Sequence, residues 1–525
     1  MVKFIYMAFM LACFSSVVHC TELRLWKDDS SVTYDAVFFI LNDKTSDSAQ
    51  LQFLKRLGIN AETLSFCDQM TKVAEKDSGN IWLPSERPLL FSWASLPSIL
   101  QKNREDAFEQ LRALVGKKLR NLIQDKIKSA VIVLPENIEG FNDARDLVIK
   151  ELAIATHLAT YNYSQKTNQL PQLERIDLYA VGDYAFSQSL HWGNVIGYYT
   201  NLARRWGDAP AGSLTPQLWA QEAAHEAGLA GCSSTILDVN QIRSLNMGGI
   251  LGVGSGVAHQ PVMIVTEYKP EKPIATIAIT GKGIIFDSGG LQLKSTGGML
   301  HMKFDKCGGA AALATCFAAA KLQAHIRVIA LVPAVFNKTG SNAMHPRDIL
   351  HMMNGKTVEV NNTDAEGRLI LADALCYAEK FYNPDVIIDV ATLTGACVAA
   401  LGSAYSGLMS RDERLKRDLI KAGAVAGDRV WELPLDKIYE PANASEVADV
   451  SNCGKGAWGA GAIVAGLFLS NFVQNQRWAH IDIAGPAQDV PHSWYGASGA
   501  TGAGVRLLIE YITNYRLDDN AASNP

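Results

Sequence analysis

The chain predicts an α/β protein in two parts. A smaller N-terminal α/β domain precedes a larger C-terminal α/β sandwich with a central mixed sheet. Three observations predict this. At 525 residues the chain exceeds what one core usually organises. Buried-strand runs alternate with helical runs, most regularly over 270–510, which implies helices on both faces of a sheet. An apolar content of 48% with 19% charged residues is that of a soluble globular chain. The net charge of −5 and the lack of a basic patch argue against nucleic acid as a partner.

Residues 1–20 form a separate unit. Lys3 is their only charge, Phe4–Phe14 is an unbroken apolar run, and Ser15, Ser16 and Cys20 are small. That is the layout of a secretory signal peptide cleaved after Cys20, so a secreted chain beginning at Thr21 is expected. Mitochondrial or cytoplasmic residence is the alternative. The run is too short for a comfortable membrane span, and no later run of about 18 apolar residues occurs, so no span is expected in the mature chain. The cysteines pull the other way. Cys67, Cys232, Cys307, Cys316, Cys376, Cys397 and Cys453 are odd in number, scattered and set in apolar segments, as buried thiols are. Glycosylation sequons begin at Asn162, Asn337, Asn361 and Asn443. Under the secretory reading Asn162 and Asn443 are the expected acceptors.

The first domain is expected over 30–185. Ala36–Leu41, Ser129–Leu134 and Ile176–Val181 read as strands, and Arg104–Leu122 and Arg145–Tyr161 as helices. No cluster of His, Asp, Glu or Cys stands out there, which suits regulation or assembly better than catalysis. Residues 186–206 are expected to be a connecting helix, with the second domain over 207–515. The glycine-rich Gly248–Gly256 lacks the third glycine of a dinucleotide loop, because Val257 occupies that place. It reads as a close-packed loop.

In the second domain Ile274–Thr280 is a buried strand, followed by Gly281-Lys282-Gly283-Ile284-Ile285-Phe286-Asp287-Ser288-Gly289-Gly290. Polar groups just past a strand end are where open α/β sheets place their sites, which brings in Lys282 and Asp287. Lys294 and Asp305 follow. Taken singly, Lys282, Lys294 and Asp305 read as ordinary surface charges. Further strands are Ile326–Val335, Asp385–Ala391 and Trp478–Gly485.

The richest stretch is Asn362-Thr363-Asp364-Ala365-Glu366-Gly367-Arg368-Leu369-Ile370-Leu371. Asp364 and Glu366, two apart, can point to one side of an extended or turning segment. Helical spacing begins at Leu369. Two acids aimed one way repel unless a cation lies between them, and a divalent metal is the usual answer. The plainer reading is a capped helix start, with Asp364 as cap and Glu366 in the first turn.

In order and spacing NTDAEGRLIL, GKGIIFDSGG, LQLK, MKFDKCGGAA, ATLTGA, WAHIDIAG and GASGATGAGVRLL resemble the leucine aminopeptidase (cytosol aminopeptidase) family over residues 200–512. The resemblance implies a two-metal enzyme that removes leucine-like N-terminal residues from peptides through a metal-bridging hydroxide. It implies two divalent ions per subunit, Zn²⁺ first, with Mn²⁺ or Mg²⁺ as alternatives. Lys282, Asp287, Asp305, Asp364 and Glu366 fall on the ligand positions, with Asp287 and Glu366 as the bridging pair. Lys294 and Arg368 fall on the catalytic positions, and bicarbonate beside Arg368 is the implied general base. A homohexamer is implied as well.

Lysine can ligate only as a neutral amine, a form that neighbouring dications favour. Three departures from the family pattern stand out: Lys306 directly after Asp305, the segment 336–341, and Arg347 where glycine is usual. They bear on metal strength, substrate preference and rate. The other class of function is a catalytically weak structural or packing protein on the same scaffold.

Overall fold

The computed structural model describes residues 21–25, 34–41, 53, 56, 78–83, 89–95, 104–134, 145–166, 172–180, 186–454, 458–474, 477–491, 493–496 and 498–516. The expected signal segment and Cys67 lie outside them. The chain forms two compact units, the mixed α/β architecture that the alternating pattern implies. Of the described residues, those up to Asn201 with 493–496 make the first unit, and Leu202–Pro491 with those from 498 onward make the second.

The first unit holds β1 (Leu23–Leu25), β2 (Ala36–Leu41), β3 (Ser78–Leu83), β4 (Leu89–Ser95), β5 (Ser129–Val133) and β6 (Arg175–Tyr179) in the order β1-β6-β5-β2-β4-β3. All neighbours pair in parallel except β3 with β4. Val37, Phe38, Phe39 and Ile40 are all fully buried. A parallel strand covered on both faces must be apolar without alternation, which is why β2 and β5 were legible. Helices Arg104–Gln124 and Arg145–Thr160 pack on one another.

The second unit holds β7 (Ser233–Leu237), β8 (Val262–Tyr268), β9 (Ala275–Gly281), β10 (Gly283–Asp287), β11 (Ile326–Asn337), β12 (Ile349–His351), β13 (Thr357–Glu359), β14 (Val386–Ala391), β15 (Ser406–Ser410), β16 (Val430–Glu432), β17 (Val450–Ser451) and β18 (Arg477–Asp482). Its main sheet runs β16-β15-β18-β14-β9-β11-β8-β7, with β10 added on β11. The centre is parallel (β18, β14, β9, β11), while β8 and β15 run antiparallel to their inner neighbours. β12, β13 and β17 form a separate small sheet.

Helices Cys307–Lys321 and Gly367–Tyr382 both pack on β9, β11 and β14. They do so from opposite faces. Ala278, Ile329, Leu331 and Ile387 join the core beneath Gly367–Tyr382, and the intervening residues point the other way. Helix Cys307–Lys321 is buried from Cys307 to Ala319 and consists mostly of alanine and glycine, so it can sit close on the strands.

Two local expectations change. Gly248–Val253 is an α-helix running into a 3₁₀ turn, not a loop. Its glycines serve close packing: a Cβ on Gly249 would lie 2.2 Å from the Leu369 carbonyl oxygen. The segment after β9 holds a further short strand, and it lengthens β11. Gly283–Asp287 forms β10, paired in parallel with the far end of β11 through a register shift between Ile284 and Phe286. β11 accordingly runs two residues past Val335, to Asn337.

Candidate metal centre

The acidic segment 361–366 leads into helix Gly367–Tyr382. Glu366 sits at the N-cap position without a side-chain cap bond. Neither acid caps the helix, so the plainer reading of this stretch falls. Gly367 leaves room for the Lys282 side chain, since a Cβ there would lie 2.5 Å from Lys282 Cε and the ammonium would have to shift.

Six of the seven singled-out side chains meet. Lys282 follows β9, held by its backbone N–H on Val390 O (3.0 Å) and its carbonyl on Gly309 N (2.8 Å). Its ammonium lies 2.8 Å from Asp305 Oδ1 and 2.9 Å from Glu366 Oε1, and donates to Thr392 O at 2.9 Å. Lys294 lies 2.8 Å from Asp287 Oδ2 and 2.6 Å from Asp364 Oδ1. Carboxylate oxygens of Asp287, Asp364 and Glu366 stand within 4.8 Å of one another. Lys282 and Asp305, read singly as surface charges, are 3% and 5% exposed.

Four carboxylates thus face two ammonium groups, and charge is left uncompensated. Burial, then the Glu366 and Asp305 charges, push Asp287 up to about 8. Burial likewise raises Asp305 to about 6 against the pull of Lys282. Burial opposes the charge on Lys282, but Asp305, Glu366 and Asp287 outweigh it and raise its pKa. Glu366 goes down despite burial, because both lysines favour its charge. Asp305 Oδ2 and Glu366 Oε2 are buried without a hydrogen-bond partner. Unpartnered, mutually repelling carboxylate oxygens that are buried fit hard divalent cations.

Arg368 stands apart from the carboxylates. Its Nη1 donates to Asn452 O at 2.8 Å, while its buried Nε has no partner. A guanidinium edge left free in the interior fits a planar anion.

Sequence reasoning missed the neutral residues that hold these groups. Asn452 is fully buried and uses its whole amide on the acidic segment. Its Oδ1 accepts from the backbone N–H groups of Asn361 and Asn362, and its Nδ2 donates to Asn362 O and Ala365 O. Thr392 Oγ1 donates to Asp305 Oδ1 at 2.7 Å. Asn337 Nδ2 donates to Asp287 Oδ1 at 2.7 Å and to Thr363 O at 3.0 Å. A neutral amide has no charge pattern to betray it, and its partners are distant in sequence.

The three departures find physical places. Lys306 is fully buried and aims away from the acids. It donates to the carbonyls of Ala209 (2.9 Å), Gly207 (3.3 Å) and Lys303, closing the C-terminal end of helix Ser187–Asp208. A cation suits that end of a helix dipole. Phe336 is buried at the end of β11, its ring 4.7 Å from the Lys338 ammonium. Arg347 adopts φ +80°, which explains why glycine is usual there, and its guanidinium pairs with buried Glu359. Two sequon asparagines are closed to glycans in the folded chain. Asn337 and Asn443 are buried with their amides bonded inward, so the expectation for Asn443 is corrected. The described cysteines are free, as the scattered pattern implied.

Comparison with known proteins follows the same lines. The family profile described as "Cytosol aminopeptidase family, catalytic domain" matches residues 201–509. A relative in Chloroherpeton thalassium described as "Probable cytosol aminopeptidase" is 35% identical over 93% of this chain and 98% of its own. Another of that description, in Chlorobium limicola, is 45% identical over 67% of this chain and 69% of its own. A solved structure described as "Bottromycin maturation enzyme BotP in complex with Mn" superposes with a TM-score of 0.77 at 28% identity, covering 92% of this chain and 99% of that one. With an acid-rich centre suited to divalent cations and a family match over the unit that carries it, the chain belongs to the cytosol (leucine) aminopeptidase family of metal-dependent peptidases.

Proposed function

We propose that this protein removes leucine-like N-terminal residues from peptides at a two-metal site formed by Lys282, Asp287, Asp305, Asp364 and Glu366. The observation that carries the reading is the surplus of buried carboxylate at this cluster, with Asp305 Oδ2 and Glu366 Oε2 unpartnered. Two divalent cations held there supply neutralising charge and acidify an attacking water to near-neutral pH. Asp287 and Glu366 would be shared between the ions, Asp364 would help hold one, and Lys282 (as the neutral amine) and Asp305 would help hold the other. Zn²⁺ is the first choice. Mn²⁺ is the second, supported by the similar structure described as a complex with Mn.

Lys294 is set to donate to the oxyanion that develops on the scissile carbonyl. Arg368 Nε–H is set to orient a planar anion such as bicarbonate as general base, a role that no protein carboxylate then needs to fill. Leu293, directly before Lys294 and 60% exposed, offers apolar surface for a leucine-like side chain. Assembly into a hexamer is part of the proposal; exposed Trp431, Ile438 and Val447 are apolar groups that an interface could cover. Secretion with a mature N-terminus at Thr21 is also proposed. The Thr21 backbone nitrogen donates to Thr160 Oγ1 at 3.1 Å and β1 begins two residues later, which suits a chain starting there.

The test is hydrolysis of leucine p-nitroanilide by purified protein, with bound metal counted per chain and a chelator added. Two ions and chelator-sensitive turnover are expected. Full activity in metal-free protein would sink the proposal, and purified protein that binds neither Zn²⁺ nor Mn²⁺ when these are supplied and stays inert would favour the packing role.

A further inference from the structure

We infer that Asn337 is a positioning residue that dictates which oxygen of Asp287 is turned to the cations. The inference rests on the two-metal reading above.

Asn337 is the last residue of β11 and lies opposite Asp287, the last of β10, in the parallel register. The Ser288 N–H donates to the Asn337 carbonyl at 2.8 Å, so the backbones are locked where the ligand-bearing turn begins. The side chain is 3% exposed, and both of its amide hydrogens are in use. One goes to Asp287 Oδ1 at 2.7 Å and the other to Thr363 O at 3.0 Å. Both partners are acceptors, so only the NH₂ can face them, and the orientation of the amide is fixed by chemistry.

The consequence falls on Asp287. Its Oδ1 accepts from Asn337 and also from Gly289 N at 2.8 Å. Two donors fill the lone pairs of that oxygen. Oδ2 is left as the oxygen facing Lys294 and the carboxylate cluster. Without Asn337 only the Gly289 N–H is left to hold Oδ1 away from the cluster, and the carboxylate orientation is less firmly set. The second bond, to Thr363 O, ties the same amide to the segment that carries Asp364 and Glu366. One neutral side chain thereby sets the distance between ligands drawn from two parts of the sequence. A charged side chain would fail here: a carboxylate would repel Asp287, and an ammonium would compete with the cations for it. The Gly290 turn closes over the amide, since a Cβ on Gly290 would lie 3.0 Å from Asn337 Oδ1.

The test is Zn²⁺ affinity of the full-length protein, measured by competition with a chromophoric chelator, with the Tm of the metal-free form recorded alongside. Asn337→Ala removes both bonds. Asn337→Leu removes them while keeping the volume, and covers the case in which the alanine variant folds poorly. Each is expected to bind Zn²⁺ about 10–100-fold more weakly, the usual effect of removing a group that orients a ligand. The metal-dependent rise in Tm should shrink in step. A Zn²⁺ affinity within twofold of wild type overturns the inference, as does a loss confined to the Tm of the metal-free form. Wild-type protein that takes up neither Zn²⁺ nor Mn²⁺ overturns the two-metal reading, and this inference with it. Wild-type uptake of two ions with unchanged variants overturns this inference alone.

Discussion

Each unit buries a charged cluster, and the two clusters obey different accounting. In the first unit Arg112, almost fully buried, lies 2.5 Å from Glu151 and 3.0 Å from Glu109. Burial lowers the guanidinium pKa, but the two carboxylates outweigh it and raise it. Lys150 adds a further cation 3.5 Å from Glu151. Charge there is matched by charge among the described residues, two cations against two carboxylates. In the second unit Lys282 and Lys294 leave four carboxylates undercompensated, and Asp287 is pushed up to about 8 by burial and by its acidic neighbours. A balanced buried cluster can only fix a structure. An unbalanced one stores a preference for something not yet in it.

The sharpest way to break the comparison is to remove the excess acid. Asp364→Asn or Glu366→Gln should abolish turnover and lower the metal count per chain, because neutral oxygens cannot balance two dications. Full occupancy with normal turnover in either variant would put the site elsewhere.

Removing a cation from the same cluster should act differently. Lys294→Met should cut kcat by roughly 10²–10³ while both ions stay bound. Loss of metal would instead make Lys294 a structural partner of Asp287 and Asp364.

The balanced cluster should respond in stability alone. Arg112→Met leaves Glu151 and Glu109 short of a cation and should cost about 3–5 kcal/mol in denaturant unfolding. The metal count and kcat/KM of the folded fraction should not move. A catalytic defect at full folding would mean that the two clusters are not independent.

A lone buried carboxylate gives the smallest and most graded effect. Asp373 accepts from the Ile250 and Met353 backbone N–H groups, both at 3.0 Å, and burial raises its pKa from 3.8 to about 7. A raised carboxylate pKa means that the folded state holds the proton more tightly. The stabilising contribution is therefore complete below pH 3.8 and declines as pH rises through the window up to about 7. The decline is on the order of a few kcal/mol. Asp373→Asn should remove that slope and lose on the order of 1–3 kcal/mol at low pH, because its NH₂ must face one of the two donors. Urea unfolding of both proteins at several pH values reads the effect, and parallel pH profiles would rule it out.

Legibility followed burial pattern and charge. β2, β5, β9, β11, β14 and β18 were readable because strands covered on both faces must be apolar throughout. β1, β12, β13 and β17 are two or three residues long and give no periodicity to read. β10 has no strand reading in the sequence, because glycines flank it; Gly283 is there to let Pro333 O approach within 2.5 Å of where a Cβ would stand. The helical segment 248–253 misled for the same reason.

What the sequence determined by itself is the chemistry. The paired acids Asp364 and Glu366 are recognisable by type and spacing as a pair that calls for a cation, whereas Lys282, Lys294 and Asp305 read singly as surface charges and join them only through the family motifs that carry them. Charge is a property of the residue and survives without coordinates. What only the tertiary structure decided is how that charge is held. Asn337, Asn452 and Thr392 carry no charge and lie far along the chain from the groups they orient. The side on which Lys306 falls was equally invisible. Its neighbour Asp305 enters the cluster, and the next side chain, one step around the backbone, leaves it for the carbonyls of another helix. Direction comes from backbone geometry, and that geometry is fixed only when the strands and helices pack.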